Sequence, residues 1–591
     1  MLKAANYLLT IFVLSLLTLQ LWLVFNMQLF GDEAFYWLEA QHLNWSYTEI
    51  PGWSPWMIRL GTEIFGNHYF SLRFFSYLSF IGLIYATSLL AKEFDVKFKN
   101  TLLILSVPLL ALIATMALPD IWLVFFVMWL SFFLVRAIKY NRNKDWIIIG
   151  ILLALGLNVH VRMWIWLFFA GIAFIALFYK DSRVLKPALL LALPLGLLGL
   201  LPILYFNITH DFALFVFQFG RRHPWEFQLG NLNFTLSQFV VITPVVLFVW
   251  FKGMTKIAHQ PRVVKWILLT ALLHAIFYFI TSLFADGLRT TVHWLLISYI
   301  PVLVLAPYLL AKNKRLLNFA MITGGVFSLF LLLILTFDGK ESSTIQARIL
   351  DNSIGWEKLS QEVDKNLKVL KINNLVADYF MTAAELAFEL NMPDEIKVLP
   401  HEKSIKHGRQ KQLQIMGMLL DKPQNYREKA LLVVEDSTLK LKNKGKYYAQ
   451  LCHYFPQMHY LETVSIEQSN KQFHLFKIND GGLCEIPPLF YINPQIDEMT
   501  VTISGWVTLH RVGIKSLWLL SQEEIKITDY QIKNIGIHQQ FPEIEDPNLP
   551  NNGFEIKVNK TSIKNKQFRL KAIDKNGRAY LSSIYFLGTS T

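Results

Sequence analysis

The chain has 591 residues, of which 53% are hydrophobic, and carries a formal charge of +13. With a mean hydropathy of +0.36, it holds more apolar surface than a soluble protein of this length would bury. The apolar surplus and the charge are unevenly placed, and that placement excludes a nucleic-acid-binding reading.

From Met1 to about Phe337, apolar runs alternate with short charged breaks. Each run approaches the roughly 20 residues that a helix needs to cross about 30 Å of hydrocarbon. The runs predict about 11 spans, near 7–29, 69–91, 101–118, 121–138, 146–160, 163–179, 187–207, 236–251, 266–284, 295–311 and 316–336. Alternate breaks are basic, among them Lys92/Lys97/Lys99, Lys139/Arg142/Lys144, Lys180/Arg183/Lys186 and Lys312/Lys314/Arg315. By the positive-inside rule these breaks and the N-terminus are cytoplasmic, and everything beyond the last span is outside. The first span follows Lys3 but lacks a small-x-small cleavage site before Asp32, so it reads as an anchor rather than a signal peptide.

Gly31-Asp32-Glu33-Ala34-Phe35-Tyr36-Trp37 emerges where the first span ends. Charge at that depth is costly unless it has a use. The stretch up to the second span is rich in interfacial aromatics and predicts one or two short amphipathic helices, broken by a turn at Pro51-Gly52-Trp53-Ser54-Pro55.

Further outer features are Asp120 after Pro119, His160 and Arg162, and a long loop carrying His210, Asp211, Gln218, Arg221 and Arg222. The last outer turn carries Asp286, Arg289, His293 and Trp294. The cations on this side, Arg59, Arg73, Arg162, Arg221, Arg222 and Arg289, are all arginine. The guanidinium fork binds phosphate oxygens bidentately, which points to a phosphate or pyrophosphate site at the outer surface. The plainer alternative is that some of these arginines snorkel or pair with nearby carboxylates.

After about Ser342 the composition is that of a soluble protein. The sequence predicts three domains: membrane residues 1–337, an α/β domain over 338–488, and a small β-sandwich over 489–591. Cys452 and Cys484, the only cysteines, lie in the outer part. A disulfide there would contribute roughly 3 to 4 kcal/mol, but two free thiols are equally compatible with the spacing. There is no Walker loop, GxSxG, HExxH or zinc spacing. Divalent-metal dependence stays open.

An acid beside a phosphate site suggests group transfer from a lipid phosphate. Asp32 fits a base that takes a proton from the acceptor, and the arginines fit a clamp on the leaving phosphate. Several motifs resemble membrane glycosyltransferases of the GT-C fold. They are Asp32-Glu33 after the first span, Leu118-Pro119-Asp120, Pro202 to Asn207 followed by His210, and Phe217-Gln218-Phe219-Gly220-Arg221. His293-Trp294 with Tyr299 and Pro301 is similar to a His-Trp and Tyr-Pro signature of that group. The nearest branch is that of the aminoarabinose transferases and the bacterial relatives of protein O-mannosyltransferases. Ala377-Asp378-Tyr379 and 383–388 extend the likeness into the soluble part.

The resemblance implies a polytopic α-helical membrane enzyme of the bacterial inner membrane with periplasmic C-terminal domains. It would move a sugar, neutral or amino, from undecaprenyl phosphate to lipid A or a related envelope acceptor with inversion. Asp32 would be the base, with Glu33 and Asp120 as further catalytic carboxylates. Arg59, Arg73, Arg162, His210, Gln218, Arg221, Arg222, Arg289, His293 and Trp294 would bind substrate. Two departures stand out: Arg162 replaces the usual Lys, and Glu49-Ile50-Pro51-Gly52 replaces Asp-His-Pro-Pro. A protein hydroxyl is the alternative acceptor. A non-enzymatic transporter of lipid-linked sugars is the rival from another class; it should place ionisable groups at mid-bilayer.

Overall fold

The computed structural model describes residues 2–591 apart from 221–224, 286–290, 337–351, 467–470, 510–511, 522–523, 528–529, 534–551, 564–566, 584 and 588–591. The chain forms two compact units. One comprises Met1–Gly339 with Lys406–Gln412, the other Lys340–Ile405 with Leu413–Thr591.

The first unit is a polytopic helical membrane protein. Among the described residues eight helices are long and apolar enough to cross a membrane, or nine if Leu229–Val241 and Pro244–Met254, bent by 98°, form one span. The bend falls at Thr243, which has φ +67° immediately before Pro244, where the proline ring disfavours helical geometry.

Besides the bent pair, which falls on the span expected at 236–251, two more of the eleven expected spans are not long continuous helices. The stretch expected at 101–118 is divided among the helix Phe98–Thr101, a 3₁₀ turn Leu102–Ser106 and the helix Pro108–Ile113. Pro108 has no N–H to continue a ladder, and it holds Val107 extended. Leu102 to Ser106 are all buried, so their irregular backbone is covered by protein. The stretch expected at 146–160 is a 15-residue helix, Asn143–Leu157. Gly199 lets the next span approach it closely, since a Cβ there would come within 2.2 Å of the Ala154 carbonyl oxygen.

Between the first two long helices lie the two expected short ones, Gly31–Gln41 and Trp53–Phe65. The link between them is closed by the Ser46–Pro51 bridge and by the Tyr47 N–H donating to the Ile50 carbonyl at 3.0 Å. Most of the helix Gly31–Gln41 is buried, although it contains three acids, Asp32, Glu33 and Glu39.

The second unit begins with a mixed sheet of β1 (Leu375–Ala377), β2 (Ile396–Val398), β3 (Ala430–Glu435), β4 (Met458–Ser465) and β5 (Gln472–Ile478), in the order β2-β1-β3-β5-β4. β1 runs parallel to β2 and β3, whereas β5 is antiparallel to β3 and β4. β3 is buried at every position, as expected of its unbroken apolar run. The helix Trp356–Leu370 buries Leu359, Val363 and Leu367, the expected stripe.

Among the described residues nine further strands follow: β6 (Phe490–Ile496), β7 (Thr500–Val507), β8 (Ile514–Leu520), β9 (Glu524–Ile527), β10 (Tyr530–Lys533), β11 (Gly553–Asn559), β12 (Gln567–Asp574), β13 (Ala579–Leu581) and β14 (Tyr585–Phe586). They form the sheets β10-β11-β7-β6 and β13-β12-β8-β9, with β14 on β12. One apolar cluster, containing Leu432, Phe476, Ile503, Leu519 and Leu570, runs through the α/β sheet and both β-sheets. Cys452 and Cys484 form a disulfide, which resolves the two readings of the sequence in favour of pairing.

Candidate active site

The site begins at the N-terminus of the helix Gly31–Gln41, where two adjacent carboxylates take opposite roles. The Glu33 carboxylate turns back and accepts the Phe30 N–H at 3.0 Å, capping the helix. It also accepts from Arg73 Nε and Nη2, both at 2.8 Å, and from the Ala117 N–H at 2.7 Å. Arg73 spends its remaining donors on the carbonyls of Leu23, Met27 and Gln28. Both side chains are fully buried. The pair therefore joins the end of the first span, the second long helix and the Ala117 turn. Against the expected catalytic and substrate-binding roles, both Glu33 oxygens and the Arg73 donors are engaged within the protein.

Asp32 sits one residue earlier, in the first helical turn, where the helix dipole favours a carboxylate. Its side chain keeps 39% of its surface, and Oδ1 accepts from Arg409 Nη2 at 2.8 Å. The same guanidinium donates through Nε to Glu49 Oε2 at 2.6 Å. It packs 4.4 Å above the Phe35 ring centroid. Burial alone would lower the pKa of Arg409, but Glu49 and Asp32 outweigh it and raise the pKa further. Glu39 lies behind this group, fully buried, and its carboxyl is pushed well up by burial and then by Glu49. Tyr36 is likewise raised by burial, with Asp32 and Glu49 adding to it.

A second ion pair is built from span ends. Pro119 opens the helix Pro119–Tyr140 and places Asp120 in its first turn. Arg162 grips it with a fork, Nη1 to Oδ1 at 2.5 Å and Nη2 to Oδ2 at 3.2 Å. His160 caps the helix Val161–Phe178, its Nδ1 accepting the Arg162 N–H at 3.1 Å. His293 Nε2 stands 3.6 Å from Asp120 Oδ2 and 3.0 Å from the Thr291 hydroxyl. The charges of Asp120, Arg162 and Asp32 all act on His293, so the two acidic centres lie within electrostatic reach of each other. Trp294 is buried against Tyr278 at 5.2 Å.

The other expected residues are scattered. Gln218 donates to the Glu49 carbonyl at 2.5 Å and so borders the Asp32 group. Arg59 is engaged by Glu63 and by Gln41. His210 stacks on Phe206 at 4.5 Å and hydrogen-bonds locally. Among the described residues no contact links Arg59 or His210 to these acids. Arg221, Arg222 and Arg289 lie outside the described residues. Among the described residues no group of three or more His, Cys, Asp or Glu is placed to hold a metal ion.

The sequence reading missed Arg409, and it treated Glu49 only as a departure from a motif. The one available signal was a deficit: Asp32, Glu39 and Glu49 fall in a stretch whose nearest cations have other partners. Their cation comes from 377 positions downstream of Asp32.

Chemically, the arrangement offers a half-exposed carboxylate held at one oxygen and, within its electrostatic reach, a buried Asp120–Arg162 pair with a partly exposed His293. The first can accept a proton, and the second can exchange one anion for another.

Known proteins resemble this chain. The family described as dolichyl-phosphate-mannose-protein mannosyltransferase matches residues 51–206. A protein named lipid A galacturonosyltransferase RgtD, from Rhizobium johnstonii, is 21% identical over 385 residues, covering 61% of this chain and 79% of its own. The crystal structure of ArnT from Cupriavidus metallidurans in the apo state aligns with a TM-score of 0.57 at 13% identity, over 80% of this chain and 98% of that one. The same protein bound to undecaprenyl phosphate aligns with a TM-score of 0.58 at 14% identity, over 82% and 100%. The chain thus shares the ArnT fold, and the matches together support a GT-C glycosyltransferase, in agreement with the resemblance read from its motifs.

Proposed function

We propose that this protein transfers a sugar from undecaprenyl phosphate to lipid A at the periplasmic face of the bacterial inner membrane, with inversion and with Asp32 as the base. The observation that carries this reading is the contrast at residues 32 and 33. Of two adjacent carboxylates, only Asp32 keeps an open side, and its charge reaches His293 of the Asp120–Arg162 pair. The name of the RgtD relative and the ligand in the ArnT structure support lipid A as acceptor and undecaprenyl phosphate as carrier.

In this mechanism an acceptor oxygen attacks the anomeric carbon while Asp32 takes the proton from it. The bond between that carbon and the carrier phosphate oxygen breaks, and undecaprenyl phosphate leaves with the electron pair. The new negative charge needs a cation. Arg162 can supply it by turning part of its fork from Asp120 to the phosphate. His293, 3.6 Å from Asp120 Oδ2, is placed to take over that carboxylate. Arg221, Arg222 and Arg289 remain candidates for the same clamp. A protein hydroxyl is the second acceptor, favoured by the mannosyltransferase match over residues 51–206.

Mass spectrometry of lipid A from cells with and without the gene tests the reading. A sugar mass present only with the gene supports it, and its value identifies the sugar. Unchanged lipid A alongside loss of glycosylated envelope proteins would move the acceptor to protein.

A further inference from the structure

The segment Lys406–Gln412 lies in sequence between parts of the second unit but packs in the first. It is fixed on both sides of Arg409. The Thr48 hydroxyl donates to the Gly408 carbonyl at 2.8 Å, and the Thr48 N–H donates to Gln412 Oε1 at 3.0 Å. Gly408 has φ +76° and lies so close to Phe217 that a Cβ would meet its ring at 2.6 Å. Only glycine combines that conformation with that approach. Thr48 is 1% exposed and Arg409 is 2% exposed.

Arg409 thus enters the Asp32 group with the segment around it clamped and its guanidinium carbon over the Phe35 ring. It uses one edge of the fork to hold Glu49 through Nε and Asp32 through Nη2. A buried guanidinium shared by two carboxylates fixes the direction of both, because moving either one breaks a charge-assisted hydrogen bond. With Oδ1 committed to Arg409, the half-exposed side of Asp32 offers Oδ2 as its working oxygen.

We infer that Arg409 is a positioning residue of the transfer reaction: the segment Lys406–Gln412, distant in sequence but part of the first unit, completes the active site with one arginine that aims the Asp32 carboxylate at the acceptor. This rests on the reading of Asp32 as the base.

The test uses the full-length protein in lipid nanodiscs as wild type, Asp32→Asn, Arg409→Gln, Arg409→Ala and the double variant Glu49→Gln/Arg409→Gln. The donor is the total polyprenyl-phosphate lipid extracted from cells lacking the gene, and the acceptor is lipid A from those cells. Misaiming the base should lower kcat of Arg409→Gln about 100-fold, with KM for the donor and affinity for added undecaprenyl phosphate changed less than about threefold. Free guanidinium should restore part of the turnover of Arg409→Ala.

The double variant separates positioning from charge balance. It removes both buried charges, so it should recover the thermal stability lost in Arg409→Gln while its turnover stays low. Wild-type turnover in the double variant would show that Arg409 merely neutralises Glu49 and would overturn the inference, as would turnover of Arg409→Gln within threefold of wild type. If Arg409→Gln fails to fold, the double variant and the guanidinium experiment decide. An active Asp32→Asn would remove the functional reading itself, whereas an inactive Asp32→Asn beside an active Arg409→Gln would remove only the role of Arg409.

Discussion

Two arginine–carboxylate groups stand one residue apart and do different work. Glu33 and Arg73 are fully buried, and every oxygen and donor is taken by the surrounding backbone or by each other. Asp32 and Arg409 share the same chemistry, but the Asp32 side chain stays 39% exposed and Arg409 divides itself between two acids. A saturated pair holds three elements together and has nothing left to offer a ligand. An unsaturated one can take part in a reaction, so the ion pair itself does not mark the site; its unfilled valence does.

The strongest way to test this contrast is to break the saturated pair. Arg73→Met leaves the Glu33 charge buried without a partner and should cost about 3 to 5 kcal/mol of stability, read as a lower melting temperature in nanodiscs, while molecules that still fold keep their turnover. Loss of turnover without loss of stability would place Glu33 in the chemistry after all. Next comes the Asp120–Arg162 pair, whose Arg162 and Asp120 side chains are almost buried yet keep 8% and 4% of their surface. Arg162→Gln should weaken binding of undecaprenyl phosphate about 10- to 100-fold, the size of one charge-assisted contact, as measured by titration of the lipid.

A carboxylate without an arginine sharpens the contrast from the other side. In the second unit Asp378 is pushed up to about 7, first by burial and then by Glu435. Asp378 binds its proton more readily folded than unfolded, so its stabilising contribution is whole below the ordinary carboxyl range near 4. That contribution is lost as the pH rises through about 7. The melting temperature should therefore fall between pH 5 and pH 8, and Asp378→Asn should flatten that slope by an amount of order 1 to 2 kcal/mol. The smallest effect is expected at Arg59, whose partners Glu63 and Gln41 sit at a partly exposed helix face. Arg59→Ala should change stability by roughly 0.2 to 1 kcal/mol and leave turnover unaltered.

Much of this was legible in the sequence because it depends on local pattern. Span lengths, the two aromatic helices after the first span, the β3 run and the stripe of Trp356–Leu370 all follow from periodicity. The expected span at 101–118 was misread, because hydropathy does not distinguish a lipid-facing helix from an irregular segment buried in protein, and Pro108 breaks the helix there; the one at 146–160 forms a helix of 15 residues, Asn143–Leu157. Asp32, Asp120 and Arg162 stood out as charges at span ends. That Glu33 would take Arg73 and Asp32 would take Arg409 was not legible. The first pairing depends on which way two neighbouring side chains leave one helical turn. The second depends on a contact across 377 positions, for which no local pattern exists.

The most direct test is turnover per folded molecule for Asp32→Asn and Glu33→Gln, measured side by side with lipid A as acceptor. Asp32→Asn should fold as well as the wild type and be inactive. Glu33→Gln should be destabilised yet turn over within about tenfold of wild type once corrected for the folded fraction. An active Asp32→Asn, or a stably folded and inactive Glu33→Gln, would contradict this division of roles.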